Sequence, residues 1–145
     1  MSDYLHGTAI IWKEAGILLL GASGCGKSSL AAELIARGAV LIGDDQVKLV
    51  SEAGQMIAEA PKALEGVLEL RDLALIRLPH IVRHPIHLVV HITPHGASPA
   101  PHDALKSIPS ITLPPHRGDS AAKLMLYEEA LQEGRVLPED WKPSA

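Results

Sequence analysis

A chain of 145 residues, 47% hydrophobic and 21% charged, has the make-up of one globular domain and is short for two independent cores. Its formal charge of −4, carried without any basic block, argues against nucleic acid as a partner. No apolar run reaches the roughly 18 residues a membrane span needs, the first residues lack the pattern of a secretion signal, and the single cysteine, Cys25, can form no internal disulfide, so the expected location is the cytoplasm.

In chain order, residues 6–12 read as a first strand. Residues 13–16 form a hairpin-like turn into a second, apolar strand over 17–20. A helix starts near Lys27 and stops at Arg37-Gly38, a basic residue followed by glycine. The buried run 40–43 follows and ends in Asp44-Asp45. Residues 47–50 form a further strand, closed by a turn over 51–54. The segment 60–66 is loop-like, and 67–70 and 73–78 read as extended. Pro79 and Pro85 rule out a long helix there. Residues 87–92 form a strand and 93–110 a long proline-rich loop. A short strand over 111–113 precedes a final helix, capped by Asp119 or Ser120 and stopped by Gly134. No repeat and no second core is apparent. The expected organisation is one domain over 1–136 and a frayed tail over 137–145.

The stretch 16–34 organises the rest. A short apolar strand runs into Gly21-Ala22-Ser23-Gly24-Cys25-Gly26-Lys27-Ser28, which fits G-x-x-x-x-G-K-[ST], and then into a helix. Glycines let backbone N–H groups turn inward toward phosphate oxygens, and the helix start adds unsatisfied donors and a positive dipole end. Lys27, read as an exposed charge at the loop's end, would meet the β/γ phosphates of ATP, and Ser28 would offer a hydroxyl to Mg²⁺. Cys25 reads as a small filler, although its oxidation would block the loop. Asp44-Asp45 closes the strand after this helix, an end that lies beside the loop in a parallel or mixed sheet. A carboxylate there can hold a metal or accept a proton. If both residues are extended, their side chains point to opposite sides and only one can face a nucleophile directly. Among the histidines, His84, His87, His91 and His95 invite a metal reading, but a strand leaves His87 and His91 on one face without completing a site.

Together these residues resemble the bifunctional HPr kinase/phosphorylase family, in its short bacterial form comprising the catalytic domain alone. The resemblance rests on His6-Gly7, the loop Gly21–Ser28, Arg37-Gly38, Asp44-Asp45, Glu69-Leu70-Arg71-Asp72 and Pro115-His116-Arg117. It is strong through Asp45 and weaker beyond. Asp72 and His116 stand where the family has glycine, and residues 93–110 contain no arginine, so kinase chemistry is better supported than the phosphorylase reaction. The resemblance implies an α/β P-loop kinase-type domain with a mixed central sheet, similar to the HPr kinase/PEP carboxykinase-like core. It implies phosphorylation of a seryl residue of the phosphocarrier protein HPr, with phosphorolytic reversal through phosphate and pyrophosphate, in control of sugar phosphotransfer. By the same implication Lys27 holds phosphates, Ser28 and Glu69 hold Mg²⁺, Asp45 is the base with Asp44 beside it, His6 orients the site, Arg117 lies in a loop linked to dephosphorylation, and the assembly is a hexamer. A small-molecule P-loop kinase and a non-catalytic nucleotide or phosphate sensor are the alternatives.

Overall fold

The computed structural model describes residues 3–94, 102–115 and 119–143. Its spine is one long strand, β1 (Asp3–Trp12), which turns sharply at Lys13-Glu14 into β2 (Ala15–Gly21). Both turn residues have positive φ, 46° and 70°, the geometry that matches the right-handed twist of a two-residue hairpin. The turn is therefore tighter than the four residues expected, and both strands are longer. Along its other edge β1 changes partner. Residues Asp3 to His6 pair antiparallel with β4 (Gln46–Glu52), and Ala9 to Ile11 pair antiparallel with β3 (Val40–Gly43), with a register shift between Ala9 and Ile10.

On the far side of β2, strands β9 (Leu88–Ile92) and β10 (Ser110–Leu113) add in parallel. Beyond β4 the sheet continues through β5 (Gln55–Glu59) and β8 (Arg83–Pro85), both antiparallel, giving eight strands in a mixed sheet. The hairpin of β6 (Val67–Leu70) and β7 (Ala74–Arg77) stands apart from it. The sequence reading passed over β5 and β8. Gln, Ala and Glu in β5 are poor strand formers, and β8 ends in Pro85, tolerable because β8 lies on an edge of the sheet.

Alternation across the pleat separates two apolar layers. Ile10, Ile17, Leu19, Leu88, Val90 and Ile92 face one side and pack with Leu30 and Leu34 of α1 (Lys27–Ala36) and Leu124 of α2 (Ser120–Gln132). Ala9, Leu18 and Val89 face the other side, with Ile42, Val47 and Leu105. Leu105 lies in a single 3₁₀ turn (Asp103–Leu105) inside the stretch expected to be a loop. Helix α1 ends where expected: Gly38 has φ 114°, and its N–H donates to the carbonyl of Ile35 at 3.0 Å. An ion pair between Lys13 and Glu129 ties the first hairpin to α2. Residues 137–143 contain neither helix nor strand and are exposed.

This topology decides which ends meet. β3 and β2 are both antiparallel to β1, so they run in the same direction. The residues following each strand, Asp44-Asp45 and the glycine loop, therefore emerge at the same edge. The N-terminal half of β1 arrives there too, because Gly7 sits opposite Leu20.

Candidate functional site

The glycine loop begins as β2 ends. Gly21 lies against the backbone of Ile92, where a side chain would strike the Ile92 carbonyl oxygen and the Cys25 thiol. Gly24 and Gly26 have φ 83° and 99°, and only glycine takes such values without strain. Gly26 then caps α1, its carbonyl accepting the Leu30 N–H at 2.9 Å.

Lys27 departs from expectation. It is 7% exposed, and its Nζ donates to the carbonyls of Gly21 and Ala22 at 2.7 and 3.2 Å. The ammonium ties the loop's first residues to its last, so it supports the loop's shape as well as carrying a charge. A lysine folded back on its own loop cannot be told from an extended one by sequence.

Asp44 is the hub of the site. Buried at 6% exposure, its carboxylate accepts from Thr8 Oγ1 at 2.7 Å, Ser28 Oγ at 2.8 Å and the Glu69 backbone N–H at 3.3 Å. Three elements, β1, α1 and β6, are thereby pinned to one side chain. Asp45 behaves oppositely. Its φ is 73°, left-handed rather than extended, so the two carboxylates diverge through a backbone twist and not through strand alternation. Its side chain is 66% exposed and meets His6 Nε2 at 3.1 Å, and its carbonyl accepts the Gly7 N–H at 3.2 Å.

His6, Thr8, Lys27, Ser28, Asp44 and Asp45 line one polar recess of about 160 Å³, together with Ser23, Gly24, Gly26, Ser29, Glu69 and Arg71. The Glu69 carboxylate is exposed at its rim, and only its backbone contacts Asp44. The predicted residues His6, Ser23, Gly24, Gly26, Lys27, Ser28, Asp44, Asp45 and Glu69 are thus brought together, whereas Gly21, Ala22 and Cys25 do not line the recess. Arg117 lies outside the described residues, as do His95 and His116. Thr8 and Ser29 were missed, and Arg71 was noted in the Glu69–Asp72 stretch without a place in the site. A threonine in a strand is unremarkable by sequence, and its hydroxyl gains meaning only once Asp44 is known to be opposite. Asp72 has φ 64°, which accounts for a glycine at that position in the family it resembles, and aspartate tolerates it better than most residues.

A strand, a glycine loop and a helix on a mixed sheet, with a carboxylate pair emerging at the same edge, define a P-loop α/β domain. The chain belongs to the family described as the HPr Serine kinase C-terminal domain, whose model matches residues 1–100. It is 46% identical over 72 residues to the HPr kinase/phosphorylase of Clostridium beijerinckii, a match covering 50% of this chain and 24% of that protein. It is 42% identical over 74 residues to the HPr kinase/phosphorylase of Malacoplasma penetrans, covering 51% of this chain and 25% of that one. The chain thus matches about a quarter of the length of these curated relatives. A solved structure described as the Hpr(Ser) kinase/phosphatase from Coxiella burnetii shares the fold at a TM-score of 0.74 and 24% identity, covering 91% of this chain and 93% of that one.

Proposed function

We propose that this domain transfers the γ-phosphoryl group of ATP to the hydroxyl of a seryl residue on an HPr-type phosphocarrier protein. The single observation that carries the reading is the division of labour at Asp44-Asp45: one carboxylate is locked to Ser28 of the phosphate loop, the other is turned outward beside His6 in the same recess. The acceptor is taken from the names of the relatives.

Phosphoryl transfer needs position and charge more than covalent chemistry. The loop's N–H groups and Lys27 receive the phosphates. Asp45 takes the proton of the attacking hydroxyl as the new O–P bond forms and the bond to the β-phosphate oxygen breaks, releasing ADP. His6 Nε2 holds the Asp45 carboxylate in orientation. Both side chains are open to an acceptor as large as a protein, His6 being 49% exposed. Ser28, Asp44 and Glu69 offer hydroxyl and carboxylate oxygens, the hard donors that Mg²⁺ prefers, so the residues fit that ion. When bound, it draws negative charge from the phosphates. Running in reverse, the protonated Asp45 returns its proton to the seryl oxygen as phosphate takes the phosphoryl group and pyrophosphate forms. Arg117 is assigned to that reaction by resemblance only, as is the hexamer; the cytoplasmic location rests on the lone cysteine and the sequence pattern.

The test is incubation with γ-labelled ATP, Mg²⁺ and purified HPr. Label on a serine of HPr is expected. Label on a small metabolite, or ATP binding with no transfer to any acceptor, overturns the reading.

A further inference from the structure

The glycine loop has a second side. A cavity of about 580 Å³ lies against Gly21 to Cys25 and is walled by Leu5, Leu20, Ile92, Pro94 and Pro115 among others. It is distinct from the polar recess, and among the described residues the two share only Ser23 and Gly24. Their chemistry is opposite. The recess holds Lys27, Asp44, Asp45, Glu69 and Arg71, whereas among the described residues the cavity's lining contains no Lys, Arg, Asp or Glu. Its polar side chains are the hydroxyls of Ser23 and Thr93, the Cys25 thiol, and the imidazoles of His91 and His102.

We infer that this cavity receives the purine nucleoside end of the nucleotide whose phosphates occupy the glycine loop. The inference rests on the phosphate-loop reading above. A nucleoside triphosphate has a charged end and an uncharged heterocyclic end, and the loop separates one compartment suited to each. A polyphosphate laid along the loop with its terminal group toward Ser28 and Asp44 leaves the recess at Ser23 and Gly24, the two residues where the compartments join. The size suits a nucleoside, since small-molecule sites of this kind run from roughly 300 to 1,000 Å³ with apolar walls and a few polar groups.

Two further observations concern the imidazoles. Burial holds the His91 ring below its ordinary pKa, so near neutral pH it is uncharged, as a site for an uncharged ring requires. Nδ1 of His102 is buried with no hydrogen-bond partner among the described residues. An unmet buried polar atom is unfavourable, and the edge of a purine can satisfy it once the ring turns to the cavity.

The experiment compares MgATP with Mg-tripolyphosphate, which has the phosphates and no nucleoside, by calorimetry. Thr93→Trp fills the cavity and His102→Ala removes one imidazole. Thr93→Trp is expected to raise the Kd for ATP by at least about tenfold, and His102→Ala by a smaller factor, while both leave the Kd for tripolyphosphate within about twofold of the wild type. Equal losses for the two ligands, or none, overturn the inference and leave the phosphate loop standing. Failure of both ligands to bind the wild type overturns the loop reading and this inference with it. Should a variant not fold, adenosine added to wild-type protein decides the matter: shifts of the Leu5 and Ile92 methyl resonances are expected, and their absence at saturating adenosine, in protein that binds ATP, refutes the proposal.

Discussion

Asp45→Asn removes a negative charge and a proton acceptor at a position where the fold asks little of the side chain. The group is 66% exposed, its one side-chain hydrogen bond among the described residues is to His6, and asparagine can keep that bond and adopts the same φ of 73° readily. The melting temperature should therefore not move. Turnover should fall by roughly two to four orders of magnitude, the loss expected from removing a general base. Affinity for ATP should stay within about threefold, because a group acting only in the transition state alters kcat and not ground-state binding. Asp44→Asn supplies the contrast. It is 6% exposed with three donors aimed at it, and an amide would present N–H to at least one of them. A buried mismatch of that kind costs about 1–3 kcal/mol, which is roughly 3–10 °C in melting temperature for a chain of this size. The assay is initial rates of HPr phosphorylation at saturating ATP and Mg²⁺, alongside thermal melts of both variants. An active Asp45→Asn, or an Asp44→Asn that melts with the wild type and keeps its rate, would refute the assignment of the pair.

Gly16→Ala should destabilise the domain by about 3 kcal/mol or more, since the new Cβ would overlap the Pro85 carbonyl oxygen and the hairpin would have to move off β8; an unchanged thermal melt would contradict the packing described. Lys27→Ala should abolish measurable ATP binding and also loosen the loop, because Nζ holds the Gly21 and Ala22 carbonyls; calorimetry showing wild-type ATP affinity would sink the phosphate-loop assignment. His87 should make stability fall on acidification. Its Nδ1 accepts the Gly16 N–H at 2.9 Å, and burial, then the nearby His84, hold its pKa below the ordinary 6.5, against an opposing pull from Glu128. The unfolded chain therefore binds the proton first, so this contribution is full above pH 6.5 and is lost as pH drops from there toward the folded-state pKa. Urea melts across that window should show a slope that His87→Gln reduces, and an unchanged slope would remove His87 from the account.

Most of the sheet and the whole loop-and-helix unit were legible because their signals are local. An apolar run, a glycine pattern and a helix stop at Gly38 each lie within a few residues of the element they specify. β5 and β8 were not legible because their strand character comes from pairing with each other and with β4, not from their own composition. At the site, sequence identified the carboxylates and the loop but not how they are joined. Thr8, 36 residues before Asp44, and the Glu69 N–H, 25 residues after it, converge on one carboxylate only through the crossing of β1 and the docking of β6. Lys27's burial is of the same kind, a consequence of the loop closing on itself.

The two adjacent aspartates show most clearly what the backbone adds. In an extended pair the side chains would separate by the pleat alone, one to each face of the sheet. Here β3 has already ended at Gly43, and Asp45 takes a left-handed φ that aspartate tolerates better than most residues and that its surroundings hold in place. Those surroundings are visible: the Gly7 N–H donates to the Asp45 carbonyl, and the Gln46 N–H returns to the Asp44 carbonyl at 2.9 Å. Gly7 is itself tight against β2, since a Cβ there would lie 2.9 Å from a Leu20 methyl and 3.0 Å from the Leu19 carbonyl. That close approach brings the start of β1, and with it His6, to the same edge as the glycine loop. One glycine thus sets the distance between two strands, the strand spacing supports the twist at Asp45, and the twist lets two neighbouring carboxylates occupy different environments. One is buried and bonded to the residue that follows Lys27; the other is exposed and bonded to a histidine beside the entrance. Two carboxylates with identical chemistry thus sit in different environments, parted by the left-handed φ of Asp45, which the Gly7 N–H bonded to the Asp45 carbonyl supports.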